Sequence, residues 1–215
     1  KIYIANQGYP IGFGRNSQAV LLPSFLAAYS GSNASGVSLD AFRNIPIPNW
    51  VIKYSGLMRY TFFKERFKRF SMQSSYKASY TVNSFRSNFE YDKAPSGYKD
   101  GNLYTDAGGN LFSKVLISNI NLVEQFNPLI RLDFEMKNSV KILAEMKKDR
   151  ALSMSFDNNL LTEVRGLEYV FGFGYRIKDV IFSSKLADNP SGIIKSDINI
   201  KADVSYRNSQ TIVRY

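Results

Sequence analysis

Apolar and charged side chains alternate strictly along the stretch IRLDFEMK, residues 130 to 137. Successive side chains of a β-strand point to opposite faces, so the alternation predicts a strand with one apolar and one charged face. An α-helix would mix the two sets. The apolar set is Ile130, Leu132, Phe134 and Met136, and the charged set is Arg131, Asp133, Glu135 and Lys137. The apolar face requires a second sheet in a soluble sandwich, or lipid in a membrane barrel.

The same period of two recurs along most of the chain from Trp50 onward. Residues 167 to 178, LEYVFGFGYRIK, place four aromatic side chains on one face, with Gly172 and Gly174 between them. We expect these glycines to allow close approach of another element or curvature of the sheet. Further strands are predicted over 50–56, 71–91, 111–122, 140–156 and 198–206, and a turn is predicted at 207–210.

Two of these strands show irregular patterns. The apolar set moves from even to odd positions near Asn83, which predicts a β-bulge at about 82–85. Lys148 and Arg150 interrupt the even-numbered apolar face of 140–156 and mark either a hairpin turn or a membrane boundary. Of the two, we favour one long strand that rises out of a bilayer.

The patterns of three segments do not predict strands. Residues 61–70 place Phe63, Phe67 and Phe70 at helical spacing among basic residues, which predicts one or two turns of amphipathic helix. Residues 93–110 read as a long loop, of the kind found on the external side of a barrel. Residues 1–49 are irregular, either a packed connector or a plug, with a short buried helix predicted over 19–31 and Pro23 in its first turn.

The composition removes most familiar enzyme chemistry. The 215-residue chain has no cysteine and no histidine, which excludes thiol nucleophiles, Ser-His and Cys-His catalysis, imidazole bases and the usual zinc sites. Asp, Glu and Ser are plentiful, but they form no catalytic constellation. We therefore expect no enzymatic activity, no catalytic residues, no cofactor and no metal site.

The formal charge of +10 suits an anionic partner. The basic residues are spread over many strands and do not gather on one helix or sheet face, so the sequence does not predict nucleic-acid binding. Lipid or lipopolysaccharide phosphate is the anionic partner that we expect.

The chain is 44% hydrophobic, which excludes a disordered polymer, and no run approaches the roughly 18 apolar residues of a transmembrane helix. Alternating strands, aromatic residues near strand ends and one long connector favour an antiparallel transmembrane β-barrel. Two alternatives stay open at this point: an ordinary porin or transporter barrel for small solutes, and a soluble β-sandwich binding module.

Long blocks of the sequence carry a family resemblance. They are YPIGFGRNSQAVLLPSFLAAYSG, IPIPNWVIKYSGLMR, FKRFSMQSSYKASYTVNSFRSNF, NLVEQFNPLIRLDFEMKNS, KKDRALSMSFDNNLLTEVRGLEYVFGFGYRIKDVIFSSKLADNP and DINIKADVSYRNSQTIVRY. Together they resemble the SprA (also called Sov) outer-membrane translocon of the type 9 secretion system in Bacteroidetes-type bacteria, near its C-terminal end.

The resemblance implies a very large single-chain β-barrel that conducts folded cargo proteins across the bacterial outer membrane. The implied partners are a PorV-type outer-membrane barrel, a periplasmic plug protein and exported cargo proteins with type 9 sorting domains. Residues 50–215 would supply late strands of the barrel, and we expect the chain to be incomplete at both ends.

The barrel interpretation assigns a solvent to each face. The residues expected to face lipid are Ile130, Leu132, Phe134, Met136, Tyr169, Phe171, Phe173 and Tyr175. The residues expected to face the lumen are Arg131, Asp133, Glu135 and Lys137.

Overall fold

The computed structural model describes residues 12–30, 33, 37, 42, 47–93, 105–183 and 193–215. Six antiparallel strands form one sheet in the order in which they occur along the chain. They are β1 (Trp50–Tyr54), β2 (Phe67–Ser87), β3 (Val115–Met136), β4 (Val140–Ser155), β5 (Leu160–Ser183) and β6 (Ile193–Arg214). In the part of the chain that the structure describes, β1 and β6 are the two edges, so the sheet is all-β, antiparallel and open.

The connections divide between the two ends of the sheet. Residues 88–114 and 156–159 join strands at one end, which we call the helix end because α1 packs beside it. Residues 55–66, 137–139 and 184–192 join strands at the other end, which we call the turn end. The predicted long loop at 93–110 lies largely outside the described residues, which resume at Thr105.

Short helices accompany the sheet: α1 (Gln18–Ser30), α2 (Thr61–Arg66) and α3 (Phe89–Lys93), with a 3-10 helix at Gly56–Arg59. The helix predicted over 61–70 is confirmed only as far as Arg66, because Phe67 and Phe70 belong to β2. Across the sheet Phe70 stacks on Phe134, with ring centroids 5.7 Å apart. This pairing holds the second half of the segment in strand conformation.

Helix α1 packs on the sheet and forms the main buried core. Leu22, Phe25 and Leu26 contact a set of buried strand residues, which are Ile117, Ile120, Leu122, Leu152 and Met154. The predicted buried helix is therefore confirmed, but it begins at Gln18, so Pro23 lies inside it and not in its first turn. Most of the predicted connector or plug over 1–49 lies outside the described residues.

The side chain of Gln18 anchors the start of α1 to β3. Its Nε2 donates to the carbonyl of Val115 at 2.9 Å, and its Oε1 accepts from the amide of Ile117 at 2.8 Å. The amide side chain thus bonds β3 as a neighbouring strand would, and this contact fixes where the helix lies on the sheet.

The long strand predicted through Lys148 and Arg150 is confirmed, since β4 runs from Val140 to Ser155 without a turn. The turn predicted at 207–210 is wrong. Those four residues continue β6 and pair with residues 165–168 of β5. Similarly, the segments 111–122 and 130–137 belong largely to one strand, β3, whose pairing is irregular between Phe126 and Ile130.

The inserted residue predicted at 82–85 is absent. Asn83 pairs with Asn119 and Phe85 pairs with Ile117, so the register does not change there. Instead Ser84 adopts a φ of 52°, in the left-handed region, which disturbs the alternation without an extra residue. The register of β2 against β3 shifts elsewhere, between Gln73 and Tyr76 and near its start.

Candidate functional site

One face of the sheet carries a continuous apolar surface. The register aligns Leu132 with Ala144, Ala144 with Phe171, and Phe171 with Val204, and the rows on either side are equally apolar. We call this surface the apolar band. Its members are Phe70, Met72, Ile130, Leu132, Phe134, Val140, Ile142, Ala144, Met146, Tyr169, Phe171, Phe173, Tyr175, Ile177, Ile198, Ile200, Ala202, Val204 and Tyr206.

Seven of the eight residues expected to face lipid belong to the apolar band. The eighth, Met136, lies beyond Phe134 at the turn end of β3, where it pairs with Phe67. The sequence therefore predicts correctly which residues share a face, and this sharing depends only on the register and the alternation of the strands.

The apolar band is exposed and large. Phe171 is 53% exposed and Val204 is 70% exposed, and neither has a covering side chain among the described residues. A soluble monomer seldom exposes a contiguous apolar surface of more than a few hundred Å². Along β5 the band runs from Tyr169 to Ile177, about 26 Å of strand, and a strand tilt of about 40° reduces this to a height of about 20 Å.

The opposite face carries a chain of ion pairs that crosses five strands. Arg69 binds Asp133 at 3.0 Å at one end of it, and Arg207 binds Asp149 at 2.9 Å at the other. We call this set the charged ladder. In order of contact its members are Arg69, Asp133, Arg131, Glu145, Lys147, Glu168, Arg207 and Asp149.

Three of the four residues expected to face the lumen lie on this face. Arg131 and Asp133 belong to the charged ladder, and Glu135 forms separate ion pairs with Lys68 and Lys141 at 3.1 and 3.8 Å. Lys137 is different, because it lies in the turn after β3, where its amide donates to the carbonyl of Arg66. The strict alternation of IRLDFEMK therefore ends one residue before the sequence suggests.

Glycines in β5 make room for charged side chains that cross it. Gly166 pairs with Asp149 of β4 on one side and borders β6 on the other. A Cβ added at Gly166 would come within 2.7 Å of the Arg207 side chain, which crosses this position to reach Asp149. At Gly172 an added Cβ would contact Asp203 of β6 and lie 3.1 Å from Leu143 of β4. In the described part of the chain the close approach comes from side chains of neighbouring strands, not from a separate element.

A buried carboxylate that the sequence analysis did not single out lies between the apolar band and α1. Glu163 is 1% exposed and accepts from the Nε atoms of Arg150 at 2.8 Å and Arg165 at 2.7 Å. Arg214 contacts its other oxygen at 3.3 Å. The signal was available, because the tight turn at 156–159 sets a hairpin register in which Arg150 stands opposite Arg165.

A second polar cluster joins α1 to the sheet. The hydroxyl of Tyr76 donates to Glu124 at 2.6 Å, and the guanidinium of Arg150 lies 5.4 Å from the ring centre of Tyr29. Burial, and then the Glu124 carboxylate, raise the pKa of Tyr29 above its ordinary value. Tyr29 is therefore neutral at any physiological pH and provides an uncharged contact for the arginine.

The described residues contain no group of three or more His, Cys, Asp or Glu side chains placed to hold a metal ion. Of the helices within the described ranges, none has the length and apolar character to cross a membrane. The features that remain for a function are the apolar band, the charged ladder and the polar residues between the band and α1.

A scan against protein-family models gives no match for this sequence, and a search of curated proteins gives none either.

Proposed function

We propose that this sheet is part of the wall of a protein-conducting β-barrel in a bacterial outer membrane. In this proposal the apolar band contacts lipid and the charged ladder lines the lumen. The observation that carries the proposal is that one sheet presents an uncovered apolar surface on one face and a continuous ion-paired surface on the other. That arrangement matches a barrel wall between lipid and water.

The open edges of the sheet also support a barrel. β6 is 22 residues long, and its outer edge has no partner strand within the described ranges. A long unpaired edge is a site of aggregation in a soluble protein, and closure into a barrel is the arrangement that removes edges altogether. We infer that further strands continue the sheet beyond β6 and beyond β1.

The choice of a protein cargo over small solutes rests on the sequence blocks that resemble the SprA/Sov translocon. In this role the chain acts with a PorV-type barrel, a periplasmic plug protein and cargo proteins with type 9 sorting domains. In this role the cargo protein crosses the membrane without being chemically changed. The apolar band keeps the barrel wall in the lipid, and the charged ladder gives the lumen a hydrophilic surface.

A second candidate function is supported by α1. This helix covers the helix-end part of the same face that carries the apolar band, which shows that protein can pack there. A soluble sandwich or a partner domain would extend that cover over the whole band. The two candidates differ in what contacts Val204, which is lipid in the first and protein in the second.

The first experiment compares two arginine substitutions at adjacent exposed positions of β6, Val204→Arg in the apolar band and Ser205→Arg on the opposite face. An arginine that faces lipid costs about 2 to 4 kcal/mol near the midplane of the bilayer. We expect Val204→Arg to reduce the amount of folded protein in the outer membrane at least tenfold and Ser205→Arg to leave it close to the wild-type level. The measurement is quantitative immunoblotting of outer-membrane fractions.

Extraction of the wild-type protein from the membrane distinguishes the barrel from the soluble sandwich without any substitution. A barrel wall requires detergent for extraction, and the intact polypeptide that contains IRLDFEMK should be several-fold larger than 24.4 kDa. Release into aqueous buffer, with equal tolerance of both arginines, would contradict the membrane proposal and favour the sandwich.

A further inference from the structure

A basic depression lies where the apolar band meets the part of the sheet covered by α1. It has a volume of about 370 Å³, within the range of small-ligand sites. Two cross-strand rows that are neighbours on this face supply most of its side chains, and Asp149 and Gly166 of the row between them also line it. One row is Lys148, Leu167 and Asn208, and the next is Arg150, Arg165 and Gln210.

Glu163 holds the two arginines of this depression in place. One oxygen of its buried carboxylate accepts from the Nε atoms of both Arg150 and Arg165, so the two guanidinium groups lie side by side. In the described part of the chain, the Nη groups of these two arginines make no hydrogen bond to protein. Each guanidinium therefore keeps donors for a ligand while the carboxylate fixes its orientation.

The depression has an excess of positive charge. Lys148, Arg150 and Arg165 are three cations beside the carboxylates of Glu163 and Asp149, and Asp149 is itself neutralised by Arg207 at 2.9 Å. Two more distant groups have opposite charges: Glu124, which accepts from Tyr76, and Arg214, which binds the other side of Glu163. Two positive charges remain, together with amide donors from Asn208 and Gln210.

The surroundings of the depression are those of a membrane boundary. The next row toward the turn end is Met146, Tyr169 and Tyr206, which begins the apolar band. Tyrosine side chains are enriched at the level of lipid headgroups, because the ring is apolar and the hydroxyl is polar. A ligand bound in the depression would thus have apolar surface on one side and α1 on the other.

We propose that this depression binds the phosphate of a lipopolysaccharide headgroup, whose acyl chains lie along the apolar band. Guanidinium groups bind phosphate oxygens in bidentate fashion, and basic pockets at a membrane surface bind anionic headgroups. The long connector 88–114 is at the same end of the sheet, and long connectors of bacterial barrels are extracellular. The depression then faces the outer leaflet, where lipopolysaccharide resides. This inference rests on the proposed function.

The test uses the intact polypeptide that contains this chain, purified in detergent. The probes are lipopolysaccharide, enzymatically dephosphorylated lipopolysaccharide, phosphatidylglycerol and inorganic phosphate, with binding measured by native mass spectrometry and thermal shift. The variants are Lys148→Gln and the double variant Lys148→Gln, Arg165→Gln. The matched control is Lys137→Gln, Lys201→Gln, which removes the same charge at the turn end and on the opposite face of β6.

We expect wild-type protein to bind lipopolysaccharide in preference to the other three probes. Each cation near a membrane surface contributes about a fivefold change in affinity, so Lys148→Gln should weaken binding about fivefold and the double variant about 25-fold. The control pair should bind as the wild type does. Lys148 is exposed and makes no ion pair in the described part of the chain, so its variant should fold even where Arg165→Gln does not.

Three results would overturn the inference. If Lys148→Gln bound lipopolysaccharide as tightly as the wild type, the proposed lipopolysaccharide site would be contradicted and the proposed barrel function would be unaffected. Equal or tighter binding of phosphatidylglycerol would replace lipopolysaccharide by a phospholipid. A polypeptide that is soluble without detergent, and whose depression binds inorganic phosphate, would contradict both this inference and the proposed function.

Discussion

At the scale of single residues, the charged face depends on positions that have no side chain. Arg207 reaches Asp149 across Gly166, and Asp203 leans over Gly172 next to the Cβ of Leu143. The atoms near Gly166 are the ends of flexible side chains that can move away. Leu143 Cβ, beside Gly172, is fixed by the backbone of β4. The two glycines therefore differ in how much a methyl group would disturb the sheet.

We expect Gly172→Ala to lower the free energy of unfolding by roughly 1 to 3 kcal/mol, as overpacking usually does. Gly166→Ala should cost at most about 1 kcal/mol, because an exposed ion pair contributes no more than that. The measurement is the midpoint of heat-induced unfolding, followed by gel mobility in detergent. An equal or reversed order of the two variants would show that the close contact at Gly172 is relieved by a shift of the strands.

At the scale of elements, α1 and β3 form one packed unit whose position depends on Gln18. The side chain of Gln18 is the acceptor for the amide of Ile117, so the exchange of that amide proton reports whether α1 is docked. The other buried members of β3, such as Ile120, lie in the regular ladder between β2 and β4.

We expect Gln18→Leu to speed hydrogen exchange at the amide of Ile117 about fivefold, since removal of one hydrogen bond costs about 1 kcal/mol. The amide of Ile120 should exchange as before. Ser24→Ala is a suitable control, because the Ser24 hydroxyl donates only within α1, to the carbonyl of Val20 at 2.7 Å. Unchanged protection at Ile117 in Gln18→Leu would mean that α1 is held by its apolar contacts alone.

The element scale also shows what the sequence could and could not predict. Period-two alternation predicts the strands and the shared face of Ile130 and Phe171, because side-chain direction in a strand is a local property. The turn expected at 207–210 is absent because the local turn preference of Asn208 and Ser209 is outweighed by pairing with β5, which keeps the segment in a strand. The β4–β5 hairpin register could have indicated the contacts of Glu163 with Arg150 and Arg165, but the contact with Arg214 depends in addition on how β6 pairs with β5.

At the scale of the whole molecule, the two faces of an open sheet have to meet different solvents if the sheet belongs to a barrel. These 215 residues contain no cysteine, so single cysteines introduced along β6 are labelled without background from this part of the polypeptide. β6 is suitable because residues 195–211 are exposed on both faces, apart from Asp197. Burial within this chain therefore does not limit labelling there.

We expect Asp203→Cys and Ser205→Cys to react with a membrane-impermeant maleimide in isolated outer membranes. Ala202→Cys and Val204→Cys should stay largely unlabelled, because a thiol in lipid is neither ionised nor accessible to the reagent. Full labelling of all four after detergent denaturation is the control for accessibility. Alternation in the opposite sense would place lipid against the charged ladder and contradict the assignment of faces.

The charged ladder has a consequence for what can move past it. Its members alternate in sign along the whole series from Arg69 to Asp149, so each positive group has a negative neighbour within 4 Å and the charges cancel. The electric potential of such a row decays within a few ångströms of the surface and is screened further by salt. A polypeptide chain gliding over it would meet a wettable surface with almost no preference for acidic or basic segments. A channel lined in this way would not bind the polypeptides that pass through it and would not select them by their net charge.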